Sequence, residues 1–186
     1  MIGASPEQQS LDRPILSPGQ LIVEGRGPEM VFREMVSHLG IQLDVRTFGE
    51  ANKRNLQTWL ELFCQKAAFK ERVVRIGIVR DAEATNAVRA FQSVQSSLSA
   101  AKLAVPNKMN AVEGSPLGVG VFILPNCHDD GMLESLCLSA IEEVDHATQR
   151  QFIRVSMNSL LALRSAIESR PIRLNHVLLH TYWLQM

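Results

Sequence analysis

Short β-rich apolar runs alternate along this chain with stretches that repeat apolar residues at helical spacing, and that alternation restricts the fold more than any other feature. Gln20–Val23 is an apolar run closed by Glu24-Gly25. Arg26-Gly27-Pro28 follows, with proline suited to the start of a helix. Met30, Val31, Met35, Val36 and Leu39 then recur at helical spacing before Gly40, a good terminator. Ile41, Leu43 and Val45 alternate with polar residues as in a strand. After a loop with Gly49, the residues Leu56, Trp59, Leu60, Phe63, Cys64 and Ala67 make the cleanest amphipathic helix of the chain. Val73–Val79 is a β-rich run whose end reads as buried on both faces. It stops at Arg80-Asp81-Ala82-Glu83, and Ala84, Val88, Phe91, Val94, Leu98 and Ala101 mark another helix. Residues 104–118 are mostly loop, with a short strand at Met109–Val112. Val119–Leu124 is a further buried strand stopped by Pro125. The polar loop Asn126–Asp130 leads to Gly131 and a helix containing Leu133, Leu136 and Ile141, and the remainder reads as two helices.

Strands alternating with helices predict an α/β fold, a mainly parallel sheet flanked by helices, with helices at the C-terminus. A chain of 186 residues suits one domain with a sizeable core. The expected divisions are a flexible, polar and proline-bearing tail over residues 1–17, an α/β domain over 18–145, and a helical segment over 146–186 packed on the same domain. The chain stops inside a helical pattern at Trp183-Leu184-Gln185-Met186, as though a terminal segment of its relatives were missing.

Apolar residues make up 46% of the chain, which excludes a disordered protein. A formal net charge of zero argues against strong non-specific binding to nucleic acid. The charge is nevertheless uneven: Lys53, Arg54, Lys66, Lys70, Arg72, Arg75 and Arg80 face only Glu61 and Glu71 in that stretch, enough to steer a phosphate backbone or simply to solvate helix faces. Cys64, Cys127 and Cys137 form no C-x-x-C pair, and their odd number reads as reduced thiols in a cytoplasmic protein. Neither a signal peptide nor an apolar run long enough for a membrane helix is present in the sequence.

In parallel sheets, ligands sit beyond the carboxyl ends of the strands. Three of the expected strands end there in acids or a polar loop: Glu24, then Asp81 with Glu83, then Asn126–Asp130. Taken singly, each has a bland reading. Asp81 is a natural helix N-cap with Glu83 in the first turn, and Asp129 or Asp130 could cap the helix after Gly131. Taken together they are harder to dismiss. Neighbouring strands lie about 4.8 Å apart, and in extended backbone Asp81 and Glu83 point to one side roughly 6.5–7 Å apart. Carboxylates that close repel unless a proton or a cation compensates. Mg²⁺ takes oxygen ligands and is commonly held by one or two carboxylates plus substrate phosphate; a second ion would give a two-metal arrangement for displacement at phosphorus.

The series Leu21-Ile22-Val23-Glu24-Gly25 and Gly77-Ile78-Val79-Arg80-Asp81-Ala82-Glu83 resembles the TOPRIM domain, which carries a strand-end Glu-Gly and, further on, an Asp-x-Asp. With Val119–Asn126 and Gly131-Met132-Leu133-Glu134, the chain looks like a TOPRIM-like family similar to the nucleases of the overcoming-lysogenization-defect type. The resemblance covers roughly residues 19–140, and it implies a Rossmann-like TOPRIM fold and metal-dependent cleavage or transfer at a DNA or RNA phosphodiester. Carried over, Glu24 would be the general acid/base or a metal ligand, Asp81 and Glu83 ligands of Mg²⁺ or Mn²⁺, and Glu134 a further ligand. Gly25, Arg26, Asn126, Asp129 and Asp130 would line the same edge toward substrate. Three departures stand out: Glu83 replaces the second Asp, Gly27-Pro28 occupy a stretch where relatives carry an acid that Glu29 would have to replace, and the Arg80 cation could stand in for part of a metal's charge. Nucleases of that type join the TOPRIM domain to an ATPase, so a separate ATPase partner is implied, and with it a rival reading: a non-catalytic or partner-activated interaction module. A nucleotide-binding phosphotransferase or primase-like protein is a third. A homo-oligomer is compatible with all three.

Other constellations carry less. His176 and His180 share a helix face but lack the Glu of a zinc-protease motif. Gly25-Arg26-Gly27 could bring backbone N–H groups to a phosphate, yet it is no P-loop. Cys127 and His128 are adjacent, a geometry that seldom makes a nucleophile pair. Most aromatic residues fall on apolar stripes and read as core.

Overall fold

The computed structural model describes residues 6–49, 55–83 and 86–144. In chain order the elements are α1 (Pro6–Asp12), β1 (Gly19–Glu24), α2 (Arg26–His38), β2 (Asp44–Phe48), α3 (Leu56–Cys64), α4 (Ala67–Arg72), β3 (Arg75–Asp81), α5 (Ala87–Ala100), β4 (Val112–Glu113), β5 (Gly118–Leu124) and α6 (Leu133–Val144). The five strands form one sheet in the order β2-β1-β3-β5-β4. β1 runs parallel to β2 and β3, and β3 parallel to β5; only the two-residue β4 is antiparallel, on β5. The α/β reading of the sequence therefore holds: a mostly parallel sheet flanked by helices.

Both faces of the sheet are covered, which is why β1, β3 and β5 read as apolar runs rather than alternating ones. Leu21, Ile22, Ile76, Ile78, Val119, Val121 and Ile123 are all buried. Successive strand residues point to opposite faces. Leu21 lies with Phe32 and Met35 of α2. Arg46, paired with Ile22 across β1 and β2, lies over the ring of Phe63 in α3, 5.0 Å from its centroid. So α2 covers one face and α3 the other.

Several local expectations are corrected. Residues 1–17 do not all form a loose tail: Pro6–Asp12 is a helix, and Ser10, Leu11 and Ile15 are buried in the core. The reason lies in β2. Arg46 donates to the carbonyls of Ser10, Arg13 and Pro14 and to Gln20 Oε1, while Asp44 Oδ2 accepts from the amides of Leu16 and Ser17. A polar pair inside one strand straps the preceding segment down. The single amphipathic helix read over 56–67 is broken at Lys66, which is extended (ψ 135°), and α4 turns back so that Phe63 meets Phe69 edge-on at 5.2 Å. The short strand comes at Val112–Glu113 rather than over Met109–Val112. The C-terminal helices expected over 146–186, His176 and His180 included, lie outside the described residues.

Candidate functional site

In the strand order β2-β1-β3, the chain leaves β1 toward one side and returns to β3 on the other. The carboxyl ends of β1 and β3 therefore flank a topological switch point, where parallel sheets open a crevice for ligands. Glu24 ends β1 and Asp81 ends β3. The positive φ of Gly25 (83°), accessible to glycine without steric cost, turns the chain directly from β1 into α2. Its N–H is held by the carbonyl of Phe48 at 2.8 Å, so Glu24 is fixed between two strand ends.

The register decides what each acid meets. Val23 pairs with Val79, so the residue across from Glu24 is Arg80, not Asp81. Arg80 Nε donates to Glu24 Oε2 at 3.1 Å and its Nη1 to Ser93 Oγ of α5 at 2.8 Å. Strand alternation places Asp81 on the other parity. There its Oδ1 accepts from the amide of Leu133 at 3.1 Å, the first residue of α6. Asp81 does not cap the helix that follows it; Asn86 does, accepting from the amide of Arg89. Asp81 caps a helix 52 residues away instead.

Glu83 also departs from expectation. Its φ is +53°, so it has left the extended conformation that would align it with Asp81. It exchanges backbone hydrogen bonds with Gly131 (2.8 and 3.0 Å), and Ala82 N–H reaches Leu124 O. These bonds zip the exit of β3 to the loop before α6, and so bring Glu134 to Asp81. Burial raises Asp81 to about 6; the charges of Glu134, Glu24 and Glu83 push the same way against the Leu133 hydrogen bond. Burial likewise raises Glu24, opposed by Arg80 and reinforced by Glu83. Asp81 is thus the carboxylate at this edge that feels the charges of the three others.

The other candidates separate. Gly25 and the exposed Arg26 sit at the start of α2 beside Glu24. Asn126 follows β5 at the same edge, but it closes its own turn: its Oδ1 accepts from the amides of His128 and Asp129, and its Nδ2 donates to Asp129 Oδ2 at 2.7 Å. Asp129 and Asp130 are exposed, and neither is among the charges acting on Asp81. Neither caps α6. Glu29 is no substitute ligand: it is buried in ion pairs with Arg13 (2.6 Å) and Arg33 (3.1 Å). Cys127 is buried, and its thiol is raised by burial and bonded to the Ile123 amide, so the pair with His128 is no nucleophile. Arg80, expected from the sequence only as a cation that could stand in for part of a metal's charge, proves to be the partner of Glu24. Its position one before Asp81 was visible, but its partner depended on strand register.

Carboxylate oxygens are suitable donors for a hard divalent cation, which needs only one or two protein carboxylates beside water. Among the described residues, no three His, Cys, Asp or Glu side chains form a group that could hold a metal ion. The register is the physical reason: Glu24 turns to Arg80 and Asp81 to α6. A cation here would therefore rest on one or two carboxylates, Asp81 foremost, with water completing its shell, because Glu24 is already paired with Arg80. No described helix is long and apolar enough to cross a membrane.

Fold and site together define an α/β protein with a mostly parallel five-stranded sheet and acidic residues at its switch point. The chain belongs to the family described as protein of unknown function DUF3226, whose model matches residues 18–169. No curated protein and no solved structure matches it.

Proposed function

We propose that the carboxyl edge of β1 and β3 performs Mg²⁺- or Mn²⁺-dependent phosphodiester chemistry on DNA or RNA, in a TOPRIM-type domain akin to nucleases of the overcoming-lysogenization-defect type. The observation that carries this reading is the gathering of Glu24, Asp81, Glu83 and Glu134 at the switch point, where the charges of the other three act on Asp81. Like charges brought close together call for a proton or a cation. A divalent cation bound there would offset charge developing on the phosphoryl oxygens. Asp81, fixed through one oxygen by the Leu133 amide, holds a carboxylate at the crevice in a set direction. Glu134 and Glu83 flank it. Glu24 is the acid nearest Arg80 and serves as general acid/base or as a further ligand. Gly25 and Arg26 open α2 beside it, toward the substrate backbone.

The test is cleavage of DNA and RNA by the purified chain with Mg²⁺ or Mn²⁺, repeated with Glu24→Gln and Asp81→Asn. The reading expects activity lost in both variants; undiminished cleavage by either removes it.

A second reading is favoured by two contacts. Arg80 already neutralises Glu24, and Asp81 already caps α6. Both acids would then be structural, and the chain an interaction module activated by a separate ATPase. Calorimetry separates the two, since folded protein that takes up no Mg²⁺ or Mn²⁺ supports the module.

A further inference from the structure

We propose that the hollow between α2, the amino end of β2 and the segment joining α1 to β1 binds an amphiphilic organic anion, one carboxylate or phosphate head on a short apolar body. It lies toward the opposite edge of the sheet from Glu24 and Asp81 and stands independently of the reading just given.

The hollow holds about 330 Å³, near the lower end of the range for small-molecule sites. Register fixes its place: Asp44, part of its lining, pairs with Gln20 near the start of β1, whereas Glu24 ends that strand. The lining has two chemistries. Val36, Leu43 and Leu16 are apolar, and Leu16 is 77% exposed, so an apolar ligand body would take its surface out of water. Arg13, Arg33 and Ser37 are polar.

The other two charged residues of the lining are engaged within the protein. Arg46 is 1% exposed and holds Gln20 and the carbonyls of Ser10, Arg13 and Pro14, while Asp44 Oδ2 accepts from Leu16, Ser17 and Gln20. The charge on offer is therefore that of Arg13 and Arg33. Both guanidiniums converge on one oxygen, Glu29 Oε1, at 2.6 and 3.1 Å, each through Nη2. Glu29 does not itself line the hollow. Its single carboxylate balances one of the two cations and uses one nitrogen of each five-donor fork. A second anion can then join the pair without displacing Glu29, and the planar fork matches the oxygens of either head group. Inorganic phosphate would leave the apolar walls wet, and a neutral apolar molecule would leave the extra charge unanswered. An amphiphile answers both. Because such a ligand touches α2, β2 and the segment before β1 together, its binding stabilises their packing.

The experiment titrates the full chain with sodium octanoate and with hexyl phosphate, read by calorimetry and by amide chemical shifts. Octanol and inorganic phosphate serve as the two half-ligands. At least one amphiphile should bind about tenfold more tightly than either half-ligand, with shifts concentrated in residues 13–16, 33–37 and 43–46. Either head supports the inference, and the tighter of the two identifies it. Arg33→Gln, at a position 48% exposed, leaves Glu29 paired with Arg13 and should weaken binding about tenfold. Arg89→Gln, exposed on α5, should leave binding unchanged. Circular dichroism checks the fold of each variant. The inference is overturned if neither amphiphile binds, if octanol or inorganic phosphate binds as tightly, or if folded Arg33→Gln matches the wild type.

Discussion

Asp81 meets two demands at once. Its Oδ1 accepts the amide hydrogen of Leu133, which favours the carboxylate, while burial and the charges of Glu134, Glu24 and Glu83 disfavour it, leaving it at about 6. The sign of the pH effect follows. The folded state holds its proton more tightly than the unfolded chain, so Asp81 contributes stability below about pH 4 that is lost as pH rises toward 6. Allowing for solvent screening, the change is about 1 kcal/mol. Glu24, also raised, adds in the same direction. Thermal melts from pH 4 to 7 without metal should show stability falling in the wild type, with a flatter profile in Asp81→Asn. Arg46 poses the opposite case. It is 1% exposed, and burial lowers it to about 10, yet it stays charged because the carbonyls of Ser10, Arg13 and Pro14 surround it. Arg46→Ala strands those carbonyls and Asp44, so chemical denaturation should reveal a loss of about 3–5 kcal/mol.

Elements here are fastened by side chains from distant strands. The amino end of α6 takes its acceptor from β3, so Asp81→Ala should cost about 1 kcal/mol, the typical worth of a cap. Asp81→Asn keeps an acceptor oxygen and should cost less; urea melts of the two variants at neutral pH separate the capping role from the charge. Helix α1 is fastened by Arg46 below it and by Ser10, whose Oγ accepts the amide of Thr47 on the outer edge of β2. That contact covers part of an edge strand that would otherwise offer its backbone to other chains. Leu11 and Ile15 are each 3% exposed. Leu11→Ala should therefore destabilise by about 2–4 kcal/mol, a core-sized penalty that a loose tail would not show in a denaturant titration.

At the scale of the molecule, charge is distributed unevenly about the sheet. Lys70, Arg72 and Arg75 lie at or just before the amino end of β3, whereas Asp81 closes its carboxyl end. Arg75 and Asp81 are the two ends of β3, six residue steps and about 20 Å apart. Those three charges thus lie away from the acidic edge, where Arg80 is the basic residue paired with Glu24. If the crevice cuts nucleic acid, Arg75→Gln should leave the cleavage rate nearly unchanged while Asp81→Asn abolishes it, as a gel assay of both would show. If the proposed metal-dependent function holds, divalent cation should raise the melting temperature at pH 7, where Asp81 is ionised, and far less at pH 4.5, where Asp81 is protonated.

The order of strands and helices was written in local pattern: apolar runs of strand length, helical spacing at Val31, Met35 and Val36, and glycines at the turns. Such signals act within a few residues, so the sequence by itself determined the α/β class and the acids that end β1 and β3. Which residues those acids face was decided by tertiary structure, because strand register is set by packing on both faces and no neighbour in sequence reports it. Register put Arg80 against Glu24, sent Asp81 to α6, and let two residues of β2 bind a segment that reads locally as a tail.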